Sequence, residues 1–176
     1  MGWTIPAVSR DGMGDAIQHT KLAELQAFWC AQCGGRAFPE WRRFDVEALA
    51  PWFGHLVVLT VEAEPRRYRV KVYGTQVVAY SGQDLTGRYL DAVLPEAAVE
   101  RTLAPLDRCV ATAEPVYEVF ASALPGATVR RLHRLILPFG DAPDAVRVLL
   151  EGCYVEGWRY TGEFSIADLY AAGRAP

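Results

Sequence analysis

Several features that would point to a function class are missing from this sequence. No stretch of its 176 residues approaches the roughly 18 consecutive apolar residues that a membrane-crossing helix requires. The opening MGWTIPAVSRDGMGD has neither a basic start nor an unbroken apolar run, so no secretory signal is read there. Positive charge is not in excess: 18 Lys plus Arg stand against 21 Asp plus Glu, a formal net charge of −3, unlike the basic footprint of a nucleic-acid binder. Lysine is scarce, and the resulting Arg bias, with abundant Ala, reads as genome composition rather than phosphate recognition. There is no G-x-S-x-G elbow, no P-loop and no metalloprotease helix, so no catalytic set is visible and no enzyme is expected. The expectation is a cytoplasmic protein with neither a membrane nor a nucleic acid as partner.

What is present is enough apolar material for a core. Hydrophobic residues make up 51% of the chain, which excludes wholesale disorder, and the length matches one domain. We divide it into a flexible tail over 1–16, a single domain over 17–160 and a C-terminal extension over 161–176.

Periodicity supplies the elements. Leu22, Leu25, Phe28 and Trp29 recur at helical spacing after Asp15, read as an N-cap, and Gly34-Gly35 stops the helix. A shorter helix begins near Asp45, with Leu49 and Trp52 facing inward. HLVVLTVE (55–62) is a buried-type strand. In YRVKVY, Tyr68, Val70 and Val72 alternate with Arg69, Lys71 and Tyr73, so the first set is expected to be dry and the second wet. Thr75 is expected to cap a short helix that Gly82 ends. Val99, Leu103, Leu106 and Val110 mark a helix over 95–113, kinked or divided at Pro105. Strands follow at 115–123, 129–139 and 145–156, separated by turns at Pro125-Gly126 and Gly140–Asp144, and a short helix is expected over 166–171. This order predicts an α+β fold: a five-stranded antiparallel sheet with helices on one face and an N-terminal flanking helix.

Local motifs add a resemblance. The turn Gly82, Asp84, Leu85, Thr86, Gly87 and Arg88, following a strand and Gly74-Thr75, resembles the PAS domain. Upstream, Trp29, Gly34, Gly35, Pro39, Arg42, Asp45, Pro51, His55 and Leu56 are similar to the entry segment of short stand-alone bacterial PAS proteins, the fifth PAS class of domain catalogues. Over residues 25–155 the resemblance implies a sensor or interaction module that binds a small molecule or partner between sheet and helices, and that dimerises. The helix at 17–30, with Phe28 and Trp29 on a wide apolar face, is the candidate dimerisation surface. Haem-binding members often carry a His on the long helix, and residues 95–113 hold none; flavin photosensors carry Asn-Cys-Arg, also missing here. The cofactor is therefore unknown.

The pocket so implied would be lined by Tyr80, Tyr89, Leu106, Cys109, Phe120 and His133, with His133 as a polar anchor. The competing reading for each is core packing, or for His133 an ordinary hydrogen-bonded histidine. The clusters Arg66/Arg67/Arg69 and Arg130/Arg131/Arg134 read as the solvated outer faces of strands. Cys30 and Cys33 form a WCxxC, as in thioredoxin-like enzymes, but a reactive thiolate needs a helix N-terminus and periodicity puts Cys30 near a C-terminal end. One CxxC with scattered His19, His55 and His133 does not supply four zinc ligands, so no metal is expected. The leading expectation is a non-enzymatic regulatory module signalling in trans; the alternatives are a ligand-free interaction adaptor and a thiol-redox enzyme using Cys30 and Cys33.

Overall fold

The computed structural model describes residues 16–94, 96–122, 130–142 and 145–156. The tail before residue 16, the Pro125-Gly126 turn, part of the Gly140–Asp144 turn, and the C-terminal extension with its helix at 166–171 lie outside the described residues.

Five strands form one antiparallel sheet: β1 (Leu56–Ala63), β2 (Arg66–Tyr73), β3 (Val116–Ser122), β4 (Arg130–Ala142) and β5 (Ala145–Val155), in the order β2-β1-β5-β4-β3. β1 and β5, distant in sequence, pair at the centre (Val58 opposite Leu150), so the two hairpin-like halves share one core. The helices are α1 (Thr20–Cys33), α2 (Thr75–Ser81), α3 (Leu90–Val93) and α4 (Glu96–Thr112), with a 3-10 segment over Val46–Trp52 whose N-cap Asp45 accepts from Glu47 N. No helix among the described residues is long and apolar enough to cross a membrane.

Helices cover both faces of the sheet. Register places Leu56, Val58, Leu135, Leu137, Leu150, Gly152 and Tyr154 on one face, against α1, and Val57, Leu59, Arg134, Ile136, Leu149, Glu151 and Cys153 on the other, against α2 to α4. Double cover explains why β4 and β5 are buried almost without alternation. On the α1 side, Leu22 and Leu25 lie directly over Gly152, and the Trp29 indole donates to Pro138 O at 2.9 Å. Gly34 closes α1 at φ 56°, a left-handed conformation that glycine adopts without Cβ strain. On the opposite side, Tyr68 of β2 donates to Asp107 of α4 at 2.6 Å, and at the edge of the sheet Arg67 binds Asp91 of α3 through two bonds at 2.9 and 3.1 Å.

Three expectations are corrected. α1 starts at Thr20 with His19 as N-cap, a turn later than an Asp15 cap would place it. α2 begins at Thr75 itself, with Gly74 as N-cap. Of the two alternatives at Pro105, α4 takes the undivided one, with Ala98 buried before the proline and Leu106 and Cys109 buried after it. The alternation in β2 fails at Lys71: Val72 pairs with Val58 and Val70 with Leu59, leaving Lys71 as a bulge residue. One extra residue reverses the faces, so Val72 is 49% exposed while Tyr73 turns inward and packs on the core.

Candidate functional site

The side of the sheet facing α2 to α4 holds an ionic cluster within an otherwise apolar interior. Arg134 of β4 stands between Glu118 of β3 and Glu151 of β5, because strand order makes these three strands neighbours on one face. Its Nη2 donates to Glu118 Oε2 at 2.8 Å and to Thr102 O of α4 at 3.4 Å, while Nη1 lies 3.8 Å from Glu151 Oε1. Arg134 and Glu151 are both buried, and two of their atoms, Arg134 Nε and Glu151 Oε1, have no hydrogen-bond partner among the described residues. Burial lifts the Glu151 carboxyl above its usual range; Arg134 opposes that and Glu118 reinforces it. The solvated role expected for Arg134 is therefore corrected: it belongs to the interior, while Arg131 remains exposed.

Four of the six residues singled out in the sequence gather around this cluster. Tyr80 of α2 is buried and its hydroxyl donates to the Cys153 thiol; burial, more than its neighbours, pushes the phenol well above its usual range. Leu106 and Cys109 of α4 are fully buried, with Cys109 Sγ 3.9 Å from Ile136 O. Phe120 of β3 lies on the same face, its ring centre 5.6 Å from the Arg134 guanidinium carbon and 5.7 Å from that of Arg101. Burial pushes the thiols of Cys109 and Cys153 up to about 12, so both behave as small apolar groups rather than nucleophiles.

The other two are elsewhere. His133 is one residue from Arg134 and so projects through the opposite face, under α1, where Tyr117 Oη lies 2.6 Å from its Nδ1. Tyr89 sits beyond the outer edge of β2, donating to Glu62 at 2.8 Å beneath the Arg67 guanidinium, 3.9 Å from the ring centre. His133 therefore faces away from Tyr80, and Tyr89 lies at the edge of the sheet. Glu118 and Glu151 were not anticipated, although a lone carboxylate inside VLLEGCYV, a run too apolar for a half-wet strand, was a usable signal.

Two further expectations bear on this geometry. The apolar face of α1 offered for dimerisation is used within the chain: Leu22, Leu25 and Trp29 are buried on the sheet and Phe28 packs against Phe44 and Trp52. Cys30 is exposed and Cys33 half-buried at the C-terminal end of α1; burial, then Cys30, push the Cys33 thiol up. That is the reverse of what thiolate catalysis needs. Among the described residues no group of three or more His, Cys, Asp or Glu could hold a metal ion.

No curated protein matches the chain. Among solved structures, a light-oxygen-voltage domain studied with a flavin analogue has 17% identity and TM-score 0.44, covering 72% of this chain and 91% of that one. The light-oxygen-voltage protein of Rhodobacter sphaeroides has 14% identity and TM-score 0.43, covering 66% and 69%. A family model described as PAS domain matches residues 17–155, most of the chain. With its motifs, element order and sheet now in place, this chain belongs to the PAS domain family, a family of sensory and regulatory modules.

Proposed function

We propose that this PAS domain is a non-catalytic sensor that takes a small polar ligand between the inner face of its sheet and helices α2 to α4, and signals in trans to a protein partner. Arg134 and Glu151 are its anchors, with Tyr80, Leu106, Cys109 and Phe120 forming the surround. One observation carries this reading: two charged side chains, both buried, each keep an atom without a hydrogen-bond partner among the described residues. Buried polar atoms are almost always satisfied, so such a pair calls for a group that accepts from Arg134 and donates to Glu151. Binding would shift the populations of the helix layer and thereby alter a partner surface. A cytoplasmic site of action and a homodimer belong to the same proposal, the dimer forming through a surface other than the covered face of α1.

The short ion pair between Arg134 and Glu118 favours a second reading, a ligand-free adaptor whose interior is complete. Native mass spectrometry of the purified chain, with thermal shifts against amino acids, amines and small carboxylic acids, separates the two. The sensor reading expects a bound mass or saturable stabilisation that weakens in Glu151→Gln. An unliganded mass with no stabilisation by any of these classes rejects it in favour of the adaptor.

A further inference from the structure

All three histidines of the chain meet in one stack, although they come from three separate elements. His19 is the N-cap of α1, His55 precedes β1, and His133 lies in β4. Tyr154 of β5 is sandwiched between two of them: its ring centre lies 4.0 Å from that of His55 and 4.3 Å from that of His19, both stacked. His19 in turn lies 5.4 Å from His133, whose Nδ1 is bonded to Tyr117 of β3. The Tyr117 hydroxyl also accepts from Gln18 N at 3.2 Å, so the stack grips the chain at the N-cap and at the residue before it.

We propose that this stack is a proton-operated latch, holding the N-terminal end of α1 on the sheet when its imidazoles are neutral and releasing it on acidification. Charge arithmetic around the stack supports this. Facing the three rings are two phenols, Tyr117 and Tyr154, and two carboxylates, Glu156 and Glu24. Glu24 is already paired with Lys21 at 2.8 Å. Glu156 Oε1 lies 2.9 Å from His133 Nε2, an ion pair once that ring is protonated, though not in hydrogen-bonding geometry as it stands. A proton added to His19 sits 5.4 Å from the His133 ring, with the His19 Nδ1 buried and unpartnered among the described residues. Burial first, then His133, lower the affinity of His19 for a proton, and burial does the same at His55. The rest of α1 is held by groups that do not titrate in this range: Leu22, Leu25, Trp29 and the Trp52 indole on Lys21 O. The response is therefore local to the helix start, and it does not depend on any ligand.

The amides of Leu22 and Ala23 both donate to His19 O at 3.0 Å and report directly on the N-cap. Hydrogen exchange of the full chain, corrected for intrinsic rates, is measured near pH 7.5 and near pH 5.5. Protection at Leu22 and Ala23 is expected to fall with acid, by at most about tenfold, because pH 5.5 lies only about one unit below the ordinary imidazole value. Protection at Leu135 and Leu150 should hold. In His19→Phe, which keeps a ring on Tyr154 but cannot titrate, the fall should vanish. Proton NMR titration of the wild-type imidazoles is the companion measurement, and the His19 ring must titrate in step with the loss of protection. Unchanged protection at Leu22 and Ala23 near pH 5.5, an equal loss at Leu135 and Leu150, or a His19 ring that titrates out of step each overturns the latch.

Discussion

A Cβ added at Gly152 would lie 2.6 Å from Leu22 Cδ2 and 2.9 Å from Leu25 Cδ2. Both leucines are fully buried, so α1 sits as close to the sheet as it does because β5 has no side chain there. Gly152→Ala is expected to cost about 1–3 kcal/mol, the usual range for forcing an extra carbon into a packed core. Urea denaturation checks it; wild-type stability would mean that α1 does not press on this strand.

Glu151 should make stability pH-dependent. Its carboxyl is raised in the folded chain, so the folded state holds the proton more tightly than the unfolded state. The stability this confers is fully present below the ordinary carboxyl range and is lost as pH rises through the raised folded value. Glu151→Gln, which imitates the protonated acid, should flatten that part of the melting temperature profile. A variant with the wild-type profile would show that Glu151 is not its source.

Removing the cation between the two carboxylates should be more damaging than removing one of them. Arg134→Met leaves Glu118 and Glu151 without their counter-charge and is expected to lose about 3–5 kcal/mol. Adding Glu118→Gln and Glu151→Gln to it should recover much of that loss, since the penalty belongs to unpaired charge rather than to lost attraction. Chemical denaturation of the single and triple variants tests this, and an equally unstable triple variant would assign the loss to packing.

The four thiols should separate into classes. Cys30 is exposed, Cys33 half-buried, and Cys109 and Cys153 are buried with thiols pushed up to about 12. Labelling the native chain near neutral pH is expected to modify Cys30 first and to reach Cys109 and Cys153 only after unfolding. Cys30→Ser should change stability by less than about 0.5 kcal/mol. Fast labelling of Cys109 in the native state would show that the inner face opens.

The elements were legible in the sequence because their signals are local. Leu22, Leu25 and Trp29 lie on one side of a helix by spacing alone, and Gly34 ends it for a reason intrinsic to glycine. The failures were failures of face. A single bulge at Lys71 exchanged Val72 for Tyr73, and a one-residue step along β4 separates the side facing α2 to α4, at Arg134, from the α1 side, at His133. Because both neighbours in β4 are buried, alternation offered nothing with which to tell them apart.

The amino-acid order by itself determined the α+β class, the antiparallel strands, the PAS motifs around Gly82–Arg88 and the place of Cys30 near the C-terminal end of its helix, since each depends on short-range periodicity or on a residue's position within one helix. Only the tertiary structure decided that Glu118, Arg134 and Glu151 form one ionic cluster and that His19, His55 and His133 form one stack. Those groupings arise when β5 inserts between β1 and β4, which brings together side chains separated by long stretches of chain, and no local pattern records that insertion.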